Sequence, residues 1–318
     1  MNQRQASLGF ILVTIFLDVL GIGPVARQAS SVFDSFWNSE WVVPVRSLGV
    51  EAHRDELERQ YQPIRRKLAD ARSIERFKLD PADRGPAIAA LLPRMHPGTS
   101  RVHTDAPDLE SSAHHMPGAI RQLIGTTRTE LLITNAYIIP DTAAVDALRA
   151  ITARGARIRV LTNSLSSHDV PAVNSHYKQW RRPLIEAGVE LHETRSDAAI
   201  QSSLADTPPT RAGFMGLHVK AMVVDRERTF IGSMNLDPRS AAINSEMGVV
   251  IESPPLAAQL ADGMDRDMGP DNAWRVSLEP DGSLRWRAGD QILSTQPARN
   301  FWQRVEDVLF MAFPRDLY

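Results

Sequence analysis

A histidine and a lysine stand two residues apart in the otherwise apolar stretch GLHVKAMVV. Residues two apart in a strand share a face, so His218 and Lys220 are predicted to point the same way. By the same rule Val219, Ala221 and Val223 are predicted to point into the core. An imidazole that can attack or donate a proton, beside an ammonium that keeps its charge, suits a substrate with anionic oxygens.

Two further polar residues are predicted to return beside this pair. The turn DRER at Asp225–Arg228 reverses the chain, and Gly232 permits a bend before it continues. Ser233 and Asn235 would then add hydroxyl and amide groups to the histidine and lysine, which completes a site for a phosphate. Glu246, on the approach to the next strand, is the candidate to orient the imidazole by accepting its other N–H.

The spacing His-x-Lys, four residues, Asp, six residues, Gly-Ser-x-Asn resembles the HKD motif of the phospholipase D superfamily. The matching residues are His218, Lys220, Asp225, Gly232, Ser233 and Asn235. In that superfamily a histidine forms a covalent phosphoenzyme, and a histidine from a second motif copy protonates the leaving group and activates the acceptor. The resemblance implies no metal and no cofactor. It also implies that Lys220 and Asn235 hold phosphoryl oxygens, that Ser233 assists, and that Asp225 organises the hairpin.

The likeness extends beyond the motif. NAYIIPD, VLTNSLSSHDV, LDPRSAAINSEMGVVIES and FWQRVEDVL resemble the C-terminal half of bacterial cardiolipin synthases of the C type, which transfer phosphatidyl groups between phospholipids. Tyr137, Asn163 and Ser164 fall at strand ends in this pattern and are predicted to bind substrate, although a strand-end tyrosine is more often a packing residue. The resemblance implies a phospholipid substrate, a membrane surface as partner and a place at the bacterial inner membrane, with the face left open.

A second motif copy is not found. His176-x-Lys178 is followed by Pro183 where the aspartate belongs, and His114 and His115 have no lysine two residues on. All three histidines are therefore interpreted as surface or helix residues. The expectation is a chain that lacks the first copy, as a truncated relative would. A homodimer would then have to supply the second histidine.

Strands and helices alternate around the motif. GAIRQLIGTT, the segment from Asp141 to Gly155, and SHYKQWRRPLIEAG are predicted helices, with ELLITNAYI, ARIRVLTNS, VELHET and EMGVVIES as strands. Such alternation predicts an α/β fold, a phospholipase D-like αβα sandwich with a mixed, mostly parallel sheet. This domain is placed at residues 116–318. Residues 26–115, with a helix after Ala26, are interpreted as the remnant of an incomplete N-terminal half and a helical connector.

Both ends of the chain carry apolar segments. Residues 1–25 contain the run LGFILVTIFLDVLGIGPV, which fits a buried strand, a membrane anchor or a misjoined N-terminus. At the other end Phe301, Trp302, Val305, Val308, Leu309 and Ala312 share one side of a predicted helix. That helix is either docked on the domain by this side or lies at a membrane interface.

Composition narrows the remaining choices. The 318 residues include no cysteine, which excludes disulfides, thiolate zinc sites and cysteine nucleophiles. The net charge of −2, without a basic stripe near the motif, disfavours nucleic acid as a partner. Three functions stay open: phosphatidyl transfer or phosphodiester hydrolysis on phospholipids, an impaired remnant that only binds lipid phosphate, and a phospholipase D-type nuclease.

Overall fold

The computed structural model describes residues 23–40, 42–44, 54–69, 95–106, 115–204 and 213–314, with isolated positions at 47, 49, 89, 90 and 93. The chain divides into two compact units, residues 1–95 with 202–212, and residues 96–201 with 213–318. In the first unit the described helices are α1 (Gly23–Trp37) and α2 (Arg54–Ala69). The helix predicted after Ala26 is thus confirmed as α1. The apolar segment predicted over residues 1–25 lies outside the described residues, except for 23–25.

The second unit contains a ten-stranded sheet. Its strands are β1 (Thr99–Thr104), β2 (Glu130–Asn135), β3 (Arg157–Asn163), β4 (Val189–Thr194), β5 (Lys220–Val224), β6 (Arg228–Gly232), β7 (Met247–Glu252), β8 (Ala273–Leu278), β9 (Leu284–Ala288) and β10 (Gln291–Leu293). The helices that follow α2 are α3 (His115–Gly125), α4 (Thr142–Ala153), α5 (Pro171–Tyr177), α6 (Arg181–Glu186), the short α7 (Gln201–Leu204), α8 (Pro238–Ala242), α9 (Pro254–Asp267) and α10 (Phe301–Leu309). Single 3₁₀ turns cover Lys178–Trp180 and Phe310–Ala312.

The sheet is mixed, and its order is β1-β7-β6-β5-β2-β3-β4-β8-β9-β10. Only the three central strands β2, β3 and β4 pair in parallel among the described strands, and every other pairing there is antiparallel. The sheet is mixed, as predicted. Most of its strand pairings are antiparallel, however, so the expectation of a mostly parallel sheet is wrong. The hairpins β5–β6 and β8–β9–β10 contribute three of the antiparallel pairings, since short turns join antiparallel neighbours, and β1–β7, β2–β5, β4–β8 and β6–β7 are the others.

Alternate residues of the central strands enter two separate cores. Leu131 and Ile133 of β2, with Met222 of β5, belong to the larger core that includes residues of α3, α4, α5 and α6. Leu132 of β2, with Val223 of β5, packs instead against one side of α9. Helices therefore cover both faces of the sheet, which is the predicted αβα arrangement.

Local sequence signals explain how the helix α4 is bounded. The side chain of Asp141 accepts a hydrogen bond from the backbone N–H of Ala144 at 2.7 Å, so it caps the helix as predicted. Gly155 follows the helix with φ of +91°, a conformation that favours glycine. These two residues bound the helix that connects β2 to its parallel neighbour β3.

Parts of the sheet were not expected from the sequence. Strand β1 lies inside residues 26–115, yet it pairs with β7 over its whole length and belongs to the second unit. The hairpins after α9 were also not predicted. No described helix is both long and apolar enough to cross a bilayer.

Candidate active site

The hairpin formed by β5 and β6 carries the motif. Asp225 and Arg226 connect its strands with φ of +55° and +52°, as a tight hairpin turn requires. The carboxylate of Asp225 accepts hydrogen bonds from the backbone N–H groups of Arg128, Thr129 and Glu130. Burial favours the neutral acid, but these donors outweigh it and hold the pKa of Asp225 below its ordinary value.

Asp225 is therefore separated from the other motif residues. It follows the last residue of β5, whereas Lys220 is the first residue of that strand. The structure places Asp225 as the organiser of the hairpin and of the chain entering β2, not beside His218. Its inclusion among the predicted catalytic residues thus refers to this organising role, which the resemblance implied and the geometry supports.

His218 and Lys220 lie at the start of β5. His218 is exposed and precedes the strand, while Lys220 is only 8% exposed. The Lys220 Nζ donates to the backbone carbonyl oxygen of His218 at 2.9 Å. Burial lowers the pKa of Lys220, and the nearby carboxylates of Glu246, Asp169 and Asp237 oppose this effect. The structure thus combines an exposed imidazole with a buried cation whose nitrogen contacts the backbone of the same histidine.

Val219, between them, does not enter the core. Its exposure is 49%, whereas Ala221 and Val223 are buried as predicted. The alternation assumed for Val219 is wrong because the strand begins only at Lys220.

Asn163 holds the backbone next to the histidine. Its amide nitrogen donates to the carbonyl of Leu217 at 2.8 Å, and its Oδ1 accepts from the N–H of Leu217 at 2.9 Å. Ser164 is fully buried, and its hydroxyl donates to the carbonyl of Thr194 at 2.7 Å. Neither side chain lines an open surface, so both are positioning residues and not the substrate contacts that the sequence predicted.

Tyr137 lies directly beside the histidine and lysine. Its ring meets that of His218 edge-on at 6.5 Å between centroids, and the Lys220 Nζ is 6.0 Å from the ring centre. The ring also stacks on His168 at 5.3 Å, and its hydroxyl donates to Asp169 at 3.0 Å. Burial and Asp169 raise the pKa of Tyr137, so the phenol stays neutral. Its predicted place at the site is supported by this geometry.

His168 and Asp169 were missed by the sequence reasoning. Burial lowers the pKa of His168, which keeps its imidazole neutral, while the nearby His168 ring, whose Nδ1 lies 3.7 Å from the carboxylate, leads the effects that lower the pKa of Asp169 to about 2. Both follow β3, whose end lies at the same edge of the sheet as the end of β2. A polar run after a buried central strand was the signal that could have identified them.

Ser233 and Glu246 form a second polar pair. The Ser233 hydroxyl donates to one oxygen of Glu246, and the side-chain amide of Asn244 donates to the other at 3.0 Å. Glu246 is 6% exposed, and its backbone N–H donates to Asp105 at 3.1 Å. The hydrogen bond expected between Glu246 and His218 is thus replaced by bonds to Ser233 and Asn244. Glu246 therefore contacts Ser233, and its negative charge partly opposes the lowering of the Lys220 pKa by burial.

Asn235 and Gly232 complete the return of the chain. The buried Oδ1 of Asn235 has no hydrogen-bond partner among the described residues. A Cβ on Gly232 would lie 2.7 Å from the carbonyl oxygen of Met247 and from the ring of Phe230. Gly232 is therefore required by this close approach, not by the backbone bend that the sequence suggested.

Asn135, at the end of β2, was also missed. Its Oδ1 accepts hydrogen bonds from the N–H groups of Tyr137 and Leu236, at 3.2 and 3.3 Å. It pairs with Lys220 across the sheet. Asn135 thereby fixes Tyr137 and the Asn235 segment at one edge of the sheet.

The other histidines considered from the sequence lie elsewhere. His176 is buried in α5, and His115 is the exposed first residue of α3. His114 is outside the described residues. A site without metal or cofactor stays a prediction.

The part of the chain that contains this site is similar to known proteins. Residues 120–268 match the family model described as cardiolipin synthase, PLD-like domain. Cardiolipin synthase C of Escherichia coli is 32% identical over 301 residues, which are 91% of this chain and 63% of that protein. Cardiolipin synthase B of the same organism is 25% identical over 85% of this chain and 57% of its own length. The chain spans less than two thirds of the length of either relative.

Among solved structures, the phospholipase D family member Nuc from Salmonella typhimurium aligns with a TM-score of 0.41 and 19% identity. The alignment covers 56% of this chain and 99% of Nuc. The sequence matches reach well beyond the motif itself, since the family model alone spans residues 120–268. Residues 120–268 thus match a cardiolipin synthase, PLD-like domain, and the chain is similar in sequence to cardiolipin synthase C over most of its own length.

Proposed function

We propose that the protein transfers or hydrolyses phosphatidyl groups of phospholipids through His218. The observation that carries this proposal is the exposed imidazole of His218 and the buried ammonium of Lys220, which both lie against the ring of Tyr137. A phosphodiester approaching His218 would place its anionic oxygens within reach of this cation. The similarity to cardiolipin synthases supports a phospholipid as the substrate.

The chemistry would proceed through a phosphohistidine. An imidazole nitrogen attacks the phosphorus, a nitrogen–phosphorus bond forms, and the bond from phosphorus to the leaving alcohol breaks. The leaving oxygen takes a proton from an acid. An acceptor alcohol or water then attacks the phosphorus, its proton passes to the base left by that acid, and the nitrogen–phosphorus bond breaks, which restores His218. Lys220 and the side chain of Asn235 would hold the phosphoryl oxygens, with Ser233 and Glu246 beside them.

The acid in this scheme is a second histidine. The sequence carries one motif copy, so we propose that a second polypeptide contributes this group, and a second copy of this chain is the simplest source. In a site shared by two copies, His218 of one chain would serve as the nucleophile and His218 of the other chain as the acid. The site would lie on the surface of a bacterial inner membrane, where its substrate resides.

The test is phospholipid turnover by the purified protein. Vesicles of phosphatidylglycerol are incubated with the protein, and the lipid products are identified by mass spectrometry. The variant His218→Ala should lower turnover about 10²- to 10⁴-fold, the range expected for loss of a positioned acid, base or nucleophile. His115→Ala is the matched control, because it removes an exposed histidine at the start of α3.

The outcomes separate the alternatives. Turnover that survives His218→Ala would rule the proposal out. Binding of phosphatidylglycerol without any turnover would favour the impaired remnant. Cleavage of DNA without added divalent metal, lost in His218→Ala, would establish the nuclease instead.

A further inference from the structure

The helix α10 exposes its apolar side. Trp302 is 71% exposed and Phe301 is 69% exposed, and Val308 and Leu309 are each 63% exposed. An amphipathic helix on a globular domain ordinarily buries such residues. Of the two alternatives left open by the sequence, docking of α10 on the domain by this side is therefore contradicted. We name the exposed residues the C-terminal apolar face: Phe301, Trp302, Val308, Leu309, Met311 and Phe313.

The opposite, polar side holds the helix on the domain. Asp307 is 1% exposed, and its carboxylate accepts hydrogen bonds from Asn174 at 2.6 Å, Lys178 at 2.7 Å and Gln296 at 2.9 Å. Gln303 is also buried, at 3% exposure. Rotating the helix to bury its apolar side would break this group of bonds and leave the charge of Asp307 without partners. The outward direction of the apolar side is thus fixed by buried polar contacts.

The same helix is attached to the loop beside the candidate active site. Gln303 Nε2 donates to the carbonyl of Leu165 at 2.6 Å. Arg299, just before the helix, donates to the carbonyls of Ser166 and His168 at 2.9 and 3.2 Å. In that loop His168 stacks on Tyr137, which contacts the ring of His218. The helix that carries the C-terminal apolar face therefore lies next to the loop that shapes the site, with its polar side towards that loop.

We propose that the C-terminal apolar face lies in the interface of a phospholipid bilayer and holds the active site against it. Aromatic and aliphatic side chains on one side of a helix are the composition of helices that lie in a membrane interface. The nine residues of α10 are too few to span a bilayer, which takes about 20, so the helix lies in its plane. The inference rests on the proposed function only in the choice of a bilayer as partner.

The test is co-sedimentation with vesicles of phosphatidylglycerol and phosphatidylcholine, carried out with the full chain. Leu309→Ser should weaken partitioning about tenfold, because a buried leucine side chain would be lost from the bilayer. Trp302→Ser should weaken it at least as much. Ile292→Ser in β10 is the matched control, since it removes an aliphatic side chain of similar exposure, 56%, outside the face. Thermal melts establish that all variants are folded.

Equal partitioning of wild type and Leu309→Ser would overturn the inference. So would a dimer in sedimentation that Leu309→Ser abolishes while vesicle binding is unchanged, which would assign the face to a second copy. The assay requires no turnover, so it is repeated in the His218→Ala background. Wild type that shows no turnover but Leu309-dependent binding would refute the proposed function alone, whereas wild-type turnover that His218→Ala abolishes, with Leu309-independent binding, would refute the membrane docking alone.

Discussion

At the residue scale, Lys220 and Asp225 belong to one sequence motif but serve opposite ends of one strand. Lys220 lies beside His218, whereas Asp225 binds the backbone that enters β2. The motif spacing is therefore set by the length of the hairpin as well as by chemistry. A single motif can combine a reacting group with a group that maintains the fold.

The structural role of Asp225 can be measured. Asp225→Ala removes the acceptor for the N–H groups of Arg128, Thr129 and Glu130, and an unsatisfied donor costs about 1–3 kcal/mol. We expect the free energy of unfolding to fall by about that amount in denaturant titrations at pH 7. Asp225→Asn is the control, because it keeps Oδ1 as an acceptor and should lose less. Equal stability of Asp225→Ala and wild type would refute the assigned role.

At the element scale, the sequence predicted those helices and turns whose ends are marked by capping or turn residues. The helix α4 was predicted from the capping Asp141 and the terminating Gly155, both of which act within a few residues of the helix. The hairpin turn at Asp225 was predicted for the same reason. Such signals act between residues that are close in the sequence, so a single sequence contains them.

Contacts between distant segments explain what the sequence did not show. Strand β1 joins the sheet only by pairing with β7, about 150 residues later. The side of α10 that docks is decided by Lys178 and Gln296, which lie on other segments. Asn163 was predicted as a substrate contact from its place at a strand end. Its hydrogen bond to Leu217, 54 residues later, cannot be inferred from spacing. At the site, the motif residues were found from their spacing, but Asp169 and Asn135 depend on tertiary contacts.

The central strand β4 carries a buried histidine with a measurable effect on stability. Burial, and then the charge of Arg275, lower the pKa of His192 to about 4. Above pH 6.5, the ordinary value for histidine, both the folded and the unfolded protein are neutral at this position. As the pH falls from 6.5 towards 4, the unfolded chain takes up a proton that the folded protein does not. The free energy of unfolding should therefore fall by at most about 3 kcal/mol from this residue.

Denaturant titrations between pH 7 and pH 4 test this expectation. His192→Gln should flatten the decline relative to wild type, because the glutamine does not titrate. Below pH 4 the two slopes should converge, since the folded protein is then protonated as well. A variant with the same pH dependence as wild type would contradict the assignment.

At the scale of the whole molecule, the second histidine decides how many chains form one active site. If two copies of this chain share a site, each contributes its own His218, and a site with one His218→Ala chain is inactive. Wild type and His218→Ala are co-expressed with different tags at equal levels, and the pooled dimers are assayed for phospholipid turnover. Activity should then be about a quarter of that of the same amount of wild type, because random pairing makes only that share of dimers intact. About half of the activity would instead show that each His218 works independently of another copy, with the acid from elsewhere.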